Sequence, residues 1–364
     1  MRNIIRQLIY PENFASVLFL GLAFGVLAVL LSIAGNPTNT GLCVSCFLVN
    51  IAGALGLHGA LVSSYLRPEI FAIVVGSFAV AFLTGEFRAR TSGGNILKFL
   101  GGAFMIFGCE VFIGCPVKML LRLSSGSLTA LVGLAGLFGG VAFASLFVRE
   151  GFHVFKYGES SEMLGTLLPL GSFLALFLSS TGVYAFAAGV VGSSARHAPF
   201  ALSLGAGLLM GFIGQRTRFC ITGSVEKSLL TRTFTEAGAP VGFLLGALLL
   251  NLVSGGFHPA YFLEPGAHTN LFWAFLSLAM VGFGAILIGG CPFRQLVLAG
   301  EGDLGAAWAS AGMLAGAALA VRMGISSSAG GVTLPGKISV LLGFVFFLSL
   351  ALWGMKTKRG RAGA

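Results

Sequence analysis

The sequence predicts an all-α polytopic membrane protein, built as an inverted repeat of two halves with re-entrant or broken helices. A very apolar composition, long apolar segments along the whole chain and a recurring Cys motif predict this class. Mean hydropathy is +0.95 and only 9% of residues are charged, against about 25% in soluble domains. A soluble core of 364 residues could not bury this much apolar surface, so the lipid bilayer is the expected environment.

The long apolar segments give the span count, since a membrane-crossing helix needs roughly 20 mostly apolar residues. We expect nine to ten spans, at 13–34, 68–85, 97–114, 128–148, 164–190, 199–214, 239–254, 270–290, 303–321 and 337–354. Three apolar stretches are too short to cross, and we interpret 41–60, 115–126 and 220–235 as re-entrant segments or half-helices. Non-helical backbone at membrane depth is tolerated only where it lines a cavity or is buried in protein.

The basic residues predict the orientation and exclude nucleic acid as a partner. The net charge is +10, but the basic residues are dispersed between apolar segments rather than clustered on a polar face. With both termini inside, most of the 22 Lys and Arg residues fall on the inner side, as the positive-inside rule requires. The outer side keeps only Arg67, Lys118, Arg122, Arg196, Arg322 and Lys337. We therefore predict a multi-pass protein of the inner membrane, N-in and C-in, whose N-terminus begins a span rather than a cleaved signal.

A Gly-Cys-Pro motif recurs in the two parts of the chain. The segments that begin at Gly114 and Gly290 align without gaps over 27 residues. The alignment pairs Cys115 with Cys291, Lys118 with Arg294, Gly126 with Gly302, and Gly136 with Gly312. Five predicted spans, an odd number, separate the motifs, so the two segments enter the membrane from opposite faces.

A second pair of cysteines supports the same repeat. Cys43 and Cys220 each follow the first span of their half, at nearly the spacing of the first pair. We place the first half at 1–192 and the second at 193–364, together forming one membrane domain. Inverted repeats with broken helices are typical of transporters and channels whose solute site lies near the midplane.

The Gly-Cys-Pro motif also predicts a local chemistry. Gly ends one helix, and Pro is favoured at the first position of the next, so Cys115 and Cys291 should lie at the start of a half-helix. Free N–H groups and the helix dipole make that end an anion site. Lys118 and Arg294 lie just inside these half-helices; they either serve the solute path or extend to the interface as anchors.

The six cysteines all fall in or beside the broken segments. A neutral thiol is a weak donor with a soft sulfur, which suits an anion with a terminal sulfur or selenium. We expect Cys115, Cys291, Cys43 and Cys220 on the solute path and Cys109 as a packing residue. The Cys43–Cys46 pair forms a C-x-x-C, and it is a redox pair, a disulfide, half of a metal site, or simply two small apolar residues.

The remaining polar residues are less specific. Arg216 and Arg218 precede Cys220 and either guide an anion or anchor the inner face. We expect Glu301 and Asp303 to pair with Arg294, no carboxylate inside a long span, and the five His at the surface. No phosphate-binding loop, zinc-protease motif or nucleophile elbow is present in the sequence, so we expect neither an enzyme nor a cofactor or metal site.

These motifs resemble the YeeE/YedE family of sulfur-transport membrane proteins. The resemblance rests on the two Gly-Cys-Pro half-helices, the segment from Asn36 to Cys46, the Q-R-T-R-F-C segment and GGCPFRQLVLAGEG from Gly289 to Gly302. It covers nearly the whole chain, and the last segment and the C-x-x-C are most similar to the YedE branch, which is associated with selenium transport.

The resemblance implies an hourglass of inverted halves in which cysteines pass thiosulfate along by S–H hydrogen bonds. It carries that role to Cys115 and Cys291, and to Cys43. It also implies a small cytoplasmic sulfurtransferase-like partner of the TusA/SirA type. Cys46 and Cys220 depart from the thiosulfate branch, and this departure concerns the substrate more than the fold.

Three functions follow from these observations. The first is uptake of a small sulfur- or selenium-containing anion along a cysteine-lined central path, which also includes Cys46, Lys118, Arg294 and Arg216. The second is a membrane thiol-disulfide oxidoreductase that uses the C-x-x-C. The third is a transporter of a soft metal ion, which thiolates bind, although the positive ends of the half-helices disfavour a cation.

Overall fold

The computed structural model describes residues 11, 13–152, 155, 157–181, 188–259 and 266–362 of the chain. Within these residues the regular secondary structure is helical apart from two three-residue strands. Nine of the described helical segments are long and apolar enough to cross a membrane. The predicted class, an all-α polytopic membrane protein, is confirmed.

The helices follow one another in two runs of seven. The first run is α1 (Phe14–Ile33), α2 (Val44–Ala54), α3 (Pro68–Leu83), α4 (Asn95–Phe112), α5 (Pro116–Ser124), α6 (Leu128–Arg149) and α7 (Glu162–Thr181). The second is α8 (Phe200–Arg216), α9 (Ile221–Leu230), α10 (Gly238–Ser254), α11 (Leu271–Ile288), α12 (Pro292–Gly300), α13 (Leu304–Arg322) and α14 (Leu334–Ala362). In each run the second and fifth helices are short.

The packing of the long helices repeats between the runs. Helix α1 packs along α10, and correspondingly α3 packs along α8; α6 packs along α11, and α4 along α13. The central contact joins α4 to α11, which are equivalent helices of the two runs. This is the contact pattern expected of the predicted two-half repeat, while the boundaries at 192 and 193 stay a prediction.

Glycine permits the close approach of these helices at equivalent positions. A methyl group on Gly136 would lie 2.1 Å from the carbonyl oxygen of Phe275, and one on Gly312 would lie 1.9 Å from that of Phe99. Both distances are far inside van der Waals contact. Small residues at such crossings let transmembrane backbones touch, which is a main source of helix association in lipid.

The turns that follow α5 and α12 are also equivalent. Gly126 (φ +92°) and Gly302 (φ +96°) both have left-handed backbone conformations, which glycine adopts without steric cost. The next residues, Ser127 and Asp303, are the N-caps of α6 and α13, and each side chain accepts a backbone N–H three residues ahead.

Two long polar side chains satisfy the backbone where α4 and α11 break. Arg122 donates to the carbonyl oxygen of Phe112 at 3.3 Å, and Gln295 donates to those of Ile288 and Gly290 at 3.4 and 3.3 Å. Unsatisfied carbonyl groups at membrane depth would each cost several kcal/mol. The left-handed residue that ends α4 is Ile113 (φ +63°), whereas the sequence predicted that Gly would make this break.

The last helix of each run departs from the repeat. Helix α7 packs against α3, whereas α14 packs against α4 and α11. Strands β1 (Arg90–Ser92) and β2 (Tyr157–Glu159) pair antiparallel and join the loops that precede α4 and α7.

Apolar side chains are found both inside the bundle and on its exterior. Inside, the ring of Phe24 lies 4.8, 5.1 and 5.2 Å from the rings of Phe219, Phe243 and Phe293. On the exterior, many large apolar side chains are exposed, among them Leu83 at 82%. A lipid environment accounts for this exterior, because the exposure of so large an apolar surface to water would be unfavourable.

The predicted spans agree with the helices in position, with two differences. Segment 164–190 is helical as Glu162–Thr181, and residues 182–187 lie outside the described part. Helix α8 has 17 residues and is not among the nine long spans. The predicted re-entrant segments contain the short helices α2, α5 and α9 together with their connections.

Candidate functional site

Each of the four short helices begins at a cysteine. Cys43, Cys115, Cys220 and Cys291 are the N-cap residues of α2, α5, α9 and α12, and all four have extended backbone conformations. Pro116 and Pro292 occupy the first position of α5 and α12, where a missing N–H needs no partner. All four cysteines are buried.

The caps of α2 and α9 have the same local geometry. The sulfur of Cys43 accepts the backbone N–H of Cys46 at 3.4 Å, and that of Cys220 accepts the N–H of Gly223 at 3.3 Å. Each sulfur therefore takes the place that a Ser or Asp oxygen has in an ordinary N-cap. The cap does not use the S–H proton, which Cys43 donates to the Cys46 sulfur at 2.8 Å.

The four cysteines converge. The side chain of Cys43 lies next to that of Cys115, and the side chain of Cys220 lies next to that of Cys291. The thiols of Cys115 and Cys291 are close enough to interact electrostatically, so the two pairs are neighbours. We call these four residues the cysteine junction. It brings four helix N-termini, each with a partial positive charge, to one buried region.

A cavity of about 560 Å³, which we call the Lys118 cavity, lies on the Cys43 side of the junction. Cys46 and Lys118 line it, with the Lys118 Nζ 3.8 Å from the Cys46 sulfur. Arg67, Arg196 and Glu110 also line this cavity.

A second cavity of about 830 Å³, the Arg294 cavity, lies on the Cys220 side. Its lining is strongly charged and includes Cys220, Arg88, Arg90, Arg218, Glu226, Lys227, Arg294, Glu301 and Asp303. Arg67 and Gly85, at the two ends of α3, line the Lys118 and the Arg294 cavity respectively. Because α3 has 16 residues and a helix rises about 1.5 Å per residue, about 24 Å separates these ends.

The predicted cations have different surroundings. Lys118 is buried and faces its cavity. Arg294 forms an ion pair with Glu301 at 3.0 Å, as the sequence predicted. Asp303 pairs with Arg90 at 2.9 Å instead of with Arg294.

The contacts of Arg216 do not include the cysteine junction. Its guanidinium forms an ion pair with Glu86 and a hydrogen bond with the side chain of Gln215. Arg218, two residues on, lines the Arg294 cavity and is the better candidate for contact with a solute.

Two carboxylates lie inside long spans, so the prediction of none is wrong. Glu69 is fully buried and accepts hydrogen bonds from Asn36 and Ser203, both at 2.9 Å. Glu110 is 8% exposed and lines the Lys118 cavity. Glu110 directly follows Cys109 within the predicted span 97–114, so its position in a long apolar segment was the signal that could have identified it.

Two of the histidines contradict the prediction of surface positions. His58 and His268 are buried, and each hydrogen-bonds a backbone carbonyl at 2.9 Å, that of Val49 and Val111 respectively. In both turns the second ring nitrogen meets the backbone N–H two residues ahead, but the turns occupy different places in the two runs, before α3 and before α11. His197 and His258 are exposed, and His153 lies outside the described residues.

All six cysteines are free thiols. The sulfur atoms of Cys43 and Cys46 lie 2.8 Å apart. Among the described residues, no group of three or more His, Cys, Asp and Glu side chains is arranged to hold a metal ion.

Comparisons with known proteins leave the family open. No protein-family model matches the chain, and no curated protein matches it. The resemblance to the YeeE/YedE family stays a prediction, and the function must be argued from the junction and the two cavities.

Proposed function

We propose that the protein is a transporter or channel that takes up a small sulfur- or selenium-containing anion, such as thiosulfate, through the cysteine junction. The observation that carries this proposal is the convergence of four N-cap cysteines between two cavities, both of which contain basic side chains. A solute would enter one cavity, pass the thiols and leave by the other.

The junction suits an anion better than a cation. Four helix N-termini present positive partial charge there, and Lys118 adds a full charge on one side, whereas the charge of Arg294 on the other side is offset by its ion pair with Glu301. A free Zn²⁺ or Cu⁺ ion would need a set of deprotonated ligands, and the described residues offer no cluster of that kind.

Sulfur donors favour a soft anion. Each cap sulfur that accepts a backbone N–H keeps its S–H as a weak, polarizable donor. Such a donor matches a terminal sulfur or selenium atom better than a compact oxyanion, which binds hard N–H and O–H donors. A neutral thiol also avoids the repulsion that a thiolate would exert on the solute.

The basic residues that line the two cavities support one orientation of the protein in the membrane. The basic residues of the Lys118 cavity are those assigned to the outer face by sequence, and those of the Arg294 cavity are assigned to the inner face. We therefore place the Lys118 cavity outside and the Arg294 cavity inside, in an inner membrane with both termini in the cytoplasm. A small sulfurtransferase-like protein is the proposed cytoplasmic partner.

A second candidate function is thiol-disulfide exchange at Cys43 and Cys46. Their sulfur separation of 2.8 Å and the neighbouring Lys118 ammonium favour it, because a cation promotes thiolate formation. Alkylation of the purified protein followed by mass spectrometry separates the two functions. An oxidoreductase interconverts dithiol and disulfide with its substrate, whereas the proposed transporter keeps both thiols reduced during turnover.

The uptake of radiolabelled thiosulfate into cells without their own importers tests the proposal. We expect Cys115→Ala and Cys291→Ala to lower uptake by at least about tenfold with unchanged protein in the membrane. Cys109→Ala is the matched control, since Cys109 is a buried cysteine that caps no helix, and it should retain uptake. Full uptake by both junction variants would refute the thiol path, and competition by selenite and sulfite identifies the preferred anion.

A further inference from the structure

The Lys118 cavity contains a carboxylate that the cysteine path does not use. Glu110 is on the last turn of α4, more than nine-tenths buried, and lines this cavity together with Cys46 and Lys118. A buried ionised carboxylate is costly in a membrane, and such residues usually mark ion or proton pathways.

Among the two oxygen atoms of the Glu110 carboxylate, only one has a hydrogen-bond partner within the described residues. The Oε2 atom accepts a hydrogen bond from the Ser326 hydroxyl at 3.0 Å, and the Ser45 side chain lies beside the group. Within the described residues, the buried Oε1 atom has no hydrogen-bond partner, and no ion pair reaches the group within 4.0 Å. Neutral groups thus hold the carboxylate in place, and its Oε1 atom remains available to bind a proton.

The charged and titratable groups around Glu110 come from several elements. Lys118 of α5 acts on it electrostatically, and the thiols of Cys46 on α2 and Cys109 on α4 are also in range. Across the cavity lie Arg67 and Arg196. The His268 ring, from the loop before α11, hydrogen-bonds the carbonyl of the next residue, Val111.

The guanidinium groups across the cavity are engaged elsewhere or exposed. Arg67 donates to Asn50 at 2.8 Å, to Asn36 at 3.1 Å and to two backbone carbonyls, and Arg196 is exposed. Of these cations, Lys118 is therefore the buried one whose ammonium group faces the cavity beside a junction helix.

We propose that Glu110 is a proton site that is filled together with the anion in the Lys118 cavity. An ionised Glu110 offsets the Lys118 charge and repels the solute, whereas protonated Glu110 leaves the ammonium free to attract it. Since linkage is reciprocal, the anion must then promote proton binding by the same factor by which the proton promotes anion binding. The inference rests on the proposed function and adds its energy source, because a proton carried with the anion couples uptake to the proton gradient.

Calorimetry of thiosulfate binding to the full chain in lipid nanodiscs tests this inference. Titrations in two buffers with different ionisation heats, between pH 6 and pH 8, give the number of protons taken up with each anion. We expect the wild type to take up a proton and to bind about tenfold more tightly at the lower pH, within the usual 5–150-fold range of coupling. Glu110→Gln, which keeps the size of the side chain and an acceptor for Ser326, should bind thiosulfate with pH-independent affinity and no linked proton.

Glu162→Gln is the control, because Glu162 is exposed at the start of α7 and lines neither cavity. This variant should keep the linked proton. If Glu110→Gln retains the linked proton, or if Glu162→Gln loses it, the proton site is not Glu110 and the inference is overturned, while the binding of thiosulfate still supports the proposed function. If the wild type binds none of thiosulfate, selenite and sulfite, the proposed function fails, and the co-binding of a proton fails with it.

Discussion

The sulfur atom of Cys115 accepts a hydrogen bond from the backbone N–H of Val44 at 3.3 Å. Val44 is the first residue of α2, and Cys115 caps α5. The bond therefore ties the starts of two short helices that are far apart in sequence, and it fixes the direction of one junction thiol. Together with the contact between Lys118 and Cys46, this bond positions the first half of the cysteine junction.

Val44→Pro removes that bond selectively. Proline is favoured at the first position of a helix, and the extended conformation of Cys43 (φ −143°, ψ 108°) is the one required before proline. We expect the fold to persist and thiosulfate uptake to fall by a few-fold, because one neutral hydrogen bond contributes about 1 kcal/mol. Uptake by Val44→Pro and by the control Val44→Ala provides the measurement; equal uptake in the two variants would show that the bond has no role in transport.

Close packing at Gly312 predicts a loss of stability. A methyl group there would lie 1.9 Å from the Phe99 carbonyl oxygen, which belongs to the backbone and cannot move aside. We expect Gly312→Leu to destabilise the protein by about 3 kcal/mol or more, the upper part of the range for overpacking, measured as thermal unfolding in detergent. Gly171→Ala on α7, where no atom lies within 4 Å of the added methyl, should leave the melting temperature nearly unchanged.

The sequence predicts most of this fold, because hydropathy and helix breaks are local properties. The Gly-Cys-Pro motif predicts the start of α12 at Pro292, since Pro fixes the first position of a helix. The different packing partners of α7 and α14 could not be predicted. Both helices are apolar on every side, so the fit between side chains of neighbouring helices selects their partners. Asp303 pairs with Arg90, 213 residues earlier in the chain, and no local pattern indicates such a contact.

The site was predicted only in part, because its local features appear in the sequence and its tertiary contacts do not. Cysteines at helix starts are visible in the sequence, but their mutual contacts are tertiary. Glu69 and Glu110 were missed although each lies within a predicted span, because a single carboxylate has no neighbouring residue in the sequence that identifies its partner. Their partners, Ser203 and Ser326, belong to other helices or loops and carry no sequence motif.

The ion pair of Glu86 with Arg216 predicts a pH dependence of stability. Partial burial acts to raise the pKa of Glu86, but the hydrogen bonds from Arg216 and Gln215 outweigh it and hold the pKa below its usual range. A depressed pKa in the folded state stabilises the protein above the ordinary Glu pKa of about 4.3 and ceases to do so as the pH falls through the lower folded value. Because the Glu86 side chain is 46% exposed, we expect Glu86→Gln to cost less than about 1 kcal/mol at pH 7.

Thermal unfolding at pH 7 and near pH 3 measures this effect. The difference between wild type and Glu86→Gln should be present at the higher pH and shrink at the lower pH, where Glu86 is protonated. Glu162→Gln, at the start of α7, is the control and should show no such difference. A gap of the same size at both pH values would mean that the charge of Glu86 contributes nothing to stability.

The 2.8 Å separation of the Cys43 and Cys46 sulfurs predicts sensitivity to oxidation. An added oxidant such as diamide can take two electrons and two protons from this pair and leave a disulfide. That bond would remove the S–H donor of Cys43 from the junction and the Cys46 thiol from the neighbourhood of Lys118. We expect diamide to inhibit thiosulfate uptake into proteoliposomes and a reductant to restore it. Cys46→Ser cannot form the bond, so whatever uptake it has should be unaffected by diamide, whereas equal inhibition of this variant would place the oxidised thiol elsewhere.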